Sequence, residues 1–229
     1  MGMKSTLKNL LLPKGISPHV VMTGAFRGLK IEIDLQNASQ VWMGFYERET
    51  YRWIRQFGTG CSTAIDVGAA QGELTLYILK RTDASRVIAY DPNPEYDATF
   101  TRNLRMNGFG DDSRLVRRRE FVGNGSNGTV RLDALNGLAA SPVFIRVDVD
   151  GYEMDVLEGA VGLLEKMKVR LLIETHSPEL ERQCVSFLQR MGFQTQIVKN
   201  AFWRSVLKDR RPIELNRWLV ASNDADSPV

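Results

Sequence analysis

The run Ala64-Ile65-Asp66-Val67-Gly68-Ala69-Ala70-Gln71-Gly72-Glu73-Leu74 reads as a buried strand, a glycine-containing turn and the start of a helix. In α/β proteins that turn holds a nucleotide-like cofactor. Gly68 lets the chain bend sharply behind the strand, and Gly72 removes a Cβ where cofactor and helix amino terminus approach. A dinucleotide fingerprint, Gly-x-Gly-x-x-Gly, would need glycine where Ala70 and Glu73 stand. The spacing found, acidic-x-Gly-x-x-x-Gly starting at Asp66, offers less bare backbone to a pyrophosphate and favours a donor without phosphate, S-adenosylmethionine, over NAD. Arg86-Val87-Ile88-Ala89-Tyr90-Asp91 reads as the next strand, one βαβ step on. Its terminal Asp91 can accept both hydroxyls of a ribose, or it can be a turn aspartate ahead of Pro92.

Further groups fall where strands end, and ligands of open α/β sheets lie outside the carboxyl ends of the strands. Val147-Asp148-Val149-Asp150 closes a β-branched run, so Asp148 is expected near the donor sulfonium and the acceptor. It can also cap the helix that begins near Tyr152, in whose first turn Glu153 complements the dipole. Glu174 and His176 close another strand, and the site expected from these positions has Asp148, His176 and Glu174 as its catalytic groups. Asp66, Gly68, Gly72, Asp91 and Asp148 are expected on the cofactor. Methyl transfer to an alcohol requires that the hydroxyl lose its proton to a base or to a cation that lowers its pKa. His176 titrates nearest neutrality and is the first choice of base, ahead of His19 in its Pro-His segment. Asp148, Asp150, Glu174 and His176 could alternatively converge on magnesium or manganese; this is the lesser expectation, and no metal ligand is assigned.

The elements that position these groups alternate. An amphipathic segment over residues 41–57 leads into the strand ending at Asp66, and Leu74, Tyr77 and Ile78 form an apolar helical stripe. A helix is expected over residues 97–106 and another after Gly151, with Leu157, Ala160, Val161 and Leu164 on one face. After a strand over residues 169–174, Ser177 caps a helix with Pro178 in its first turn, and Gly192 ends it. Strands follow near residues 193–198 and 218–221. Asn124-Gly125 and Asn127-Gly128 signal a hairpin between residues 115–122 and 129–132. The series predicts a doubly wound, mostly parallel sheet with an antiparallel strand near the carboxyl terminus. Residues 1–40 are expected to form an amino-terminal extension and residues 41–229 the cofactor-binding domain.

Asp66-Val67-Gly68-Ala69, Ile145-Arg146-Val147-Asp148-Val149-Asp150-Gly151-Tyr152-Glu153 and Leu157-Glu158-Gly159-Ala160 together resemble the FkbM family of S-adenosylmethionine-dependent methyltransferases. Gly44-Phe45-Tyr46-Glu47, Asn103, Asn107, Leu132-Asp133 and Ile173-Glu174-Thr175-His176 add to the likeness, which covers roughly residues 25–222. The family usually carries Lys and Glu where this chain has Arg146 and Asp150, and the segment between the third and fourth sheet strands is short here. The resemblance implies a Rossmann-like class I methyltransferase with a seven-stranded sheet, O-methylating a sugar, polyketide or other hydroxylated small molecule. Residues 25–46 and 200–214 are the segments expected to shape the acceptor pocket.

Composition narrows the alternatives. A chain of 229 residues, 43% hydrophobic, can bury its own core, and a net charge of +3 does not demand nucleic acid. The basic runs Arg117-Arg118-Arg119 and Lys208-Asp209-Arg210-Arg211 could meet an anionic acceptor but read more readily as solvated faces. A nucleic-acid methyltransferase is the competing enzyme class, yet the Pro-aromatic motif of amino-group methylation is absent after Asp148. A cofactor-binding module without turnover is the remaining class. Cys61 and Cys184 lie too far apart in sequence and context to imply a disulfide framework, and Leu10-Leu11-Leu12 is too short for a signal peptide or membrane span. A cytoplasmic protein is expected, with no membrane partner.

Overall fold

The computed structural model describes residues 14–135, 142–199 and 217–229. The chain begins with an antiparallel pair, β1 (Ile16–Val20) and β2 (Lys30–Asp34), followed by helix α1 (Leu35–Met43), which Asp34 caps by accepting from the Gln36 N–H at 3.0 Å. Sequence periodicity suggested one amphipathic segment over residues 41–57, but the chain breaks there. Gly44 ends α1 at φ +76° with the Thr23 carbonyl only 2.2 Å from where a Cβ would lie, and helix α2 (Tyr51–Gly58) starts afresh. The hairpin is not an isolated flap: Ile31 and Ile33 join the same apolar cluster as Trp53, Phe57 and Phe100.

The main sheet is built from β3 (Thr63–Val67), β4 (Arg86–Tyr90), β5 (Leu115–Arg118), β6 (Val143–Val147), β7 (Val169–Thr175), β8 (Gln194–Val198) and β9 (Arg217–Ser222). Their spatial order is β5-β4-β3-β6-β7-β9-β8, with β9 antiparallel to both neighbours and the other pairings parallel. This is the expected mostly parallel seven-stranded sheet. Alternate residues feed opposite faces, as a pleated strand requires. Ala64, Phe144, Leu172 and Val220 pack on one side against α2 and α3 (Glu73–Arg81), while Ile65, Ile145, Ile173 and Leu219 pack on the other against α5 (Glu153–Glu158), α6 (Val161–Lys166) and α7 (Pro178–Arg190). Helix α4 (Asp97–Met106) completes the first face, and Asn103 and Asn107 tie it to β2 through the backbone of Glu32 and Lys30. Ser177 caps α7 by accepting from the Leu180 N–H at 3.1 Å, with Pro178 in the first turn, as expected from sequence.

The expected hairpin does not form; Val122 and Val130 share a single isolated bridge, and it is parallel. Asn124 and Asn127 do form turns, but Asn124 Nδ2 donates to Asp155 and Glu158 of α5, and a Cβ on Gly159 would lie 1.9 Å from the Gly123 carbonyl. Docking on the helix takes the loop away from a ladder. Both cysteines are free and buried. Among the described residues no helix is long and apolar enough to cross a membrane.

Candidate active site at the carboxyl edge of the sheet

Strand register assembles the site. Val67 lies opposite Tyr90 on one side and Val147 on the other, and Val147 lies opposite Ile173. Gly68, Asp91, Asp148 and Glu174 each follow one residue later, so four positions scattered over the sequence form one row across the carboxyl edge. The chain winds from β3 to β4 and β5 on one side, then returns to β6 and β7 on the other, so the row spans the switch point where open sheets bind ligands.

Gly68, at φ +85°, occupies a position where a Cβ would stand 1.9 Å from the Asp148 carbonyl oxygen, so β3 and β6 approach each other only because the side chain is missing. Gly72 answers differently from its sequence reading. It is left-handed at φ +90°, but what a Cβ would meet is the Phe100 ring of α4, at 2.9 Å. Asp91 joins two loops: Oδ2 accepts from the Ala70 N–H at 2.7 Å and Oδ1 from the Asn93 N–H at 2.9 Å. A carboxylate has about four acceptor sites, so two remain for a ligand. Asp91 borders two cavities. One, of about 400 Å³, runs past Gly68, Tyr46, Arg146 and Asp148; the other, of about 640 Å³, is flanked by the exposed rings of Phe121 and Tyr152.

Asp66 is fully buried beneath the first cavity. Its Oδ2 accepts from Thr75 Oγ1 at 2.7 Å and its Oδ1 lies 3.3 Å from Arg146 Nη1; burial raises its pKa, and the Arg146 charge opposes that rise. Arg146 also donates to the Gly68 carbonyl and to Asp148 Oδ2, both at 2.6 Å. One guanidinium therefore links the glycine turn, the motif aspartate and the aspartate expected at the reaction centre. The sequence reading gave Arg146 no role, although a basic residue inside a buried β-branched run is the signal that could have found it.

Asp148, Glu174 and His176 converge, with one ligand-type atom of each within 4.8 Å of the others. Glu174 is 0% exposed, neither of its carboxyl oxygens has a hydrogen-bond partner among the described residues, and burial beside the Asp148 and Glu47 carboxylates pushes its pKa up to about 10. His176 Nδ1 lies 2.6 Å from Glu153 Oε1, which also accepts from the Gly151 N–H at 3.0 Å. Burial lowers the His176 pKa, but the hydrogen bond and charge of Glu153 outweigh it and leave a net rise. Glu153 is thus a buried partner of His176 and more than a dipole complement. Tyr46 borders the same cluster, its hydroxyl pKa raised by burial and by Glu47, Glu174 and Asp148. His19 is elsewhere, on β1, bonded to Ser17 Oγ at 2.9 Å. The run at Arg117 is neutralised: Asp97 bridges Arg117 at 2.6 Å and Arg119 at 2.8 Å, and Glu120 lies 3.4 Å from Arg118. The second basic run, and residues 200–214, lie outside the described residues.

The strand order, the switch-point row and the acidic end of β4 are those of the Rossmann-like fold of class I methyltransferases. Similar solved structures share that fold. They include a precorrin-6y C5,15-methyltransferase from Geobacter metallireducens GS-15 (16% identity, TM-score 0.51, covering 77% of this chain and 87% of that one). A precorrin 8w decarboxylase from Methanobacterium thermoautotrophicum is similar over 79% of this chain and 90% of its own (21% identity, TM-score 0.52). Residues 126–210 match the family model described as the methyltransferase FkbM domain. That match covers 85 of the 229 residues, and over it the chain is similar to the FkbM methyltransferases. The FkbM methyltransferase of Methylobacillus flagellatus KT is a structural neighbour (19% identity, TM-score 0.54, covering 71% of this chain), and this chain spans 44% of its length. No curated protein matches the chain in sequence.

Proposed function

We propose that this methyltransferase acts on oxygen, transferring the donor methyl to a hydroxyl of a sugar, polyketide or other small molecule. The observation that carries the reading is the convergence of Asp148, Glu174 and His176, of which Asp148 lines the cavity that Gly68 and Asp91 also border. When bound, S-adenosylmethionine supplies a sulfonium methyl whose transfer to a hydroxyl leaves a neutral thioether and releases one proton. The rest of the work belongs to the protein. Asp91 is the candidate for the ribose hydroxyls, and Phe121 for the adenine face, from its place beside Asp91 on the larger cavity. Asp66 acts indirectly, holding Arg146 against the Gly68 carbonyl and Asp148.

The released proton has acceptors within the cluster. Asp148 keeps Oδ1 free of the Arg146 hydrogen bond, and His176, held by Glu153, turns Nε2 toward Asp148 and Glu174 at 3.7 and 4.0 Å. Holding acceptor and donor in one geometry supplies much of the acceleration of a displacement. Walls that exclude water supply more, and Tyr46 and Trp218 line that side. The reading is tested by profiling hydroxylated acceptors with labelled donor. In parallel, Asp91→Ala should weaken S-adenosylmethionine binding by about ten- to a hundredfold in calorimetry, the loss expected for charge-assisted hydrogen bonds of roughly 1.5–3 kcal/mol. Unchanged donor affinity would remove Asp91 from the cofactor site, and label appearing on nitrogen or on RNA but on no alcohol would overturn the choice of oxygen.

A further inference from the structure

The Asp148–Glu174–His176 cluster holds more unsatisfied acceptor capacity than the described residues around it meet. Arg146 engages only Oδ2 of Asp148 and divides its remaining donors between Asp66 and the Gly68 carbonyl. Glu174 is buried completely at the end of β7, with both oxygens unpartnered. The His176 side chain is 7% exposed, and its Nε2 is likewise without a hydrogen-bond partner, although three carboxylates stand near it: Asp150 at 3.2 Å, Asp148 at 3.7 Å and Glu174 at 4.0 Å. Buried charged groups are ordinarily paired with opposite charge or bound to a metal.

From this arrangement we infer that Asp148, Glu174 and His176 form a binding site for one hard divalent cation, magnesium or manganese, with Asp150 at its rim. The imidazole is oriented as a metal ligand would be. Glu153 takes the Nδ1 side at 2.6 Å, which leaves Nε2 facing the carboxylates, as in the carboxylate–histidine–metal arrangement that fixes ring orientation and raises ligand basicity. Size also fits. An ion with bonds of about 2.1 Å holds opposite ligands about 4.2 Å apart, and all three carboxylate distances from Nε2 fall inside that span. The full cluster, spread over 4.8 Å, needs only a small side-chain rotation to close. Two or three carboxylates with a single imidazole and no thiolate suit an oxygen-preferring ion.

The site stands on its own residues; only its part in turnover rests on the O-methylation reading, in which the cation would lower the pKa of the acceptor hydroxyl. The test therefore measures binding, without donor or acceptor. Manganese is titrated into chelator-stripped protein by calorimetry and by imidazole NMR, where the chain's two histidines, His19 and His176, serve as internal reference and probe. One manganese per chain is expected, displaced by magnesium, with the His176 ring signals broadened and those of His19 spared. Glu174→Gln and His176→Gln should each weaken manganese binding by tenfold or more, and Glu153→Gln, a positioning change, by about tenfold. The absence of saturable binding, broadening that spares His176, or unchanged affinity in both ligand variants would overturn the site; the NMR arm decides even where a variant fails to fold. Methyl transfer that persists without bound cation would leave the reaction and remove the metal from it. Manganese bound at His176 with no alcohol methylated would do the reverse.

Discussion

Two arginines, Arg170 buried and Arg146 mostly so, lie at opposite ends of the central strands and keep very different company. Arg170, at the amino-terminal end of β7, is fully matched: Nε and Nη2 donate to Asp224 at 3.0 and 2.7 Å, and Nη1 donates to the Phe57 and Thr59 carbonyls at 3.1 and 2.7 Å. Arg146, at the carboxyl-terminal end of β6, serves Asp66, Asp148 and Gly68, while Glu174 and His176 Nε2 beside it find no hydrogen-bond partner among the described residues. The first end spends its polar groups on itself. The second keeps acceptors unsatisfied at a cost in desolvation, and that residue of unmet charge is where a ligand gains by binding.

The comparison can be broken most directly by removing the acid from each arginine's neighbourhood. Asp224→Ala strands a buried guanidinium and should destabilise the fold by about 3–5 kcal/mol in urea unfolding, with turnover per folded molecule unchanged. A loss below about 1 kcal/mol would mean that Arg170 finds water or another partner, and the contrast between the ends would fail. Glu174→Gln should do the opposite. It removes no hydrogen bond, so stability should hold within about 1 kcal/mol, while kcat falls about a hundredfold, the usual scale for a lost acid–base group. Full turnover in that variant would make Glu174 a structural oddity.

Smaller effects sharpen the same picture. Phe121 is 66% exposed, so Phe121→Ala should leave stability within about 0.5 kcal/mol. Loss of ring stacking, about 0.5–1.5 kcal/mol, should weaken donor binding about two- to tenfold with kcat intact. Identical donor affinity would move the adenine off this cavity. The last effect is a slope. Burial raises the Asp224 pKa, but Arg170, the Asp226 N–H and Lys168 outweigh it and leave the value depressed. Its contribution is therefore complete above the unfolded value of about 3.9 and is lost as pH falls through the lower folded value. Urea midpoints measured from pH 6 down to pH 2.5 should fall more steeply in the wild type than in Asp224→Asn; parallel curves would contradict the pairing.

Much of this molecule was legible from local chemistry. The glycine turn after Asp66, the Ser177-Pro178 helix start, the residues 97–106 helix and the strand ends at Asp91, Asp148 and Glu174 each depend on turn geometry, capping or short-range periodicity, which a sequence carries openly. The β1–β2 pair was not read: Pro18 interrupts β1 and both strands are short, although the strict alternation Lys30-Ile31-Glu32-Ile33-Asp34 carries the signal of a half-buried strand. The hairpin at Asn124 was read and does not form, because α5 competes for the same side chain.

The sequence by itself determined the sheet and the set of groups at its carboxyl edge. Tertiary structure alone decided how those groups divide: that Gly72 yields to Phe100, that Arg146 takes Asp66 and half of Asp148, that Glu153 holds His176, and that Glu174 has no hydrogen-bond partner among the described residues. The physical reason is range. A turn or cap is settled by atoms a few residues apart, whereas pairing among buried charges depends on strand register and on desolvation, to which residues far apart in the chain contribute together.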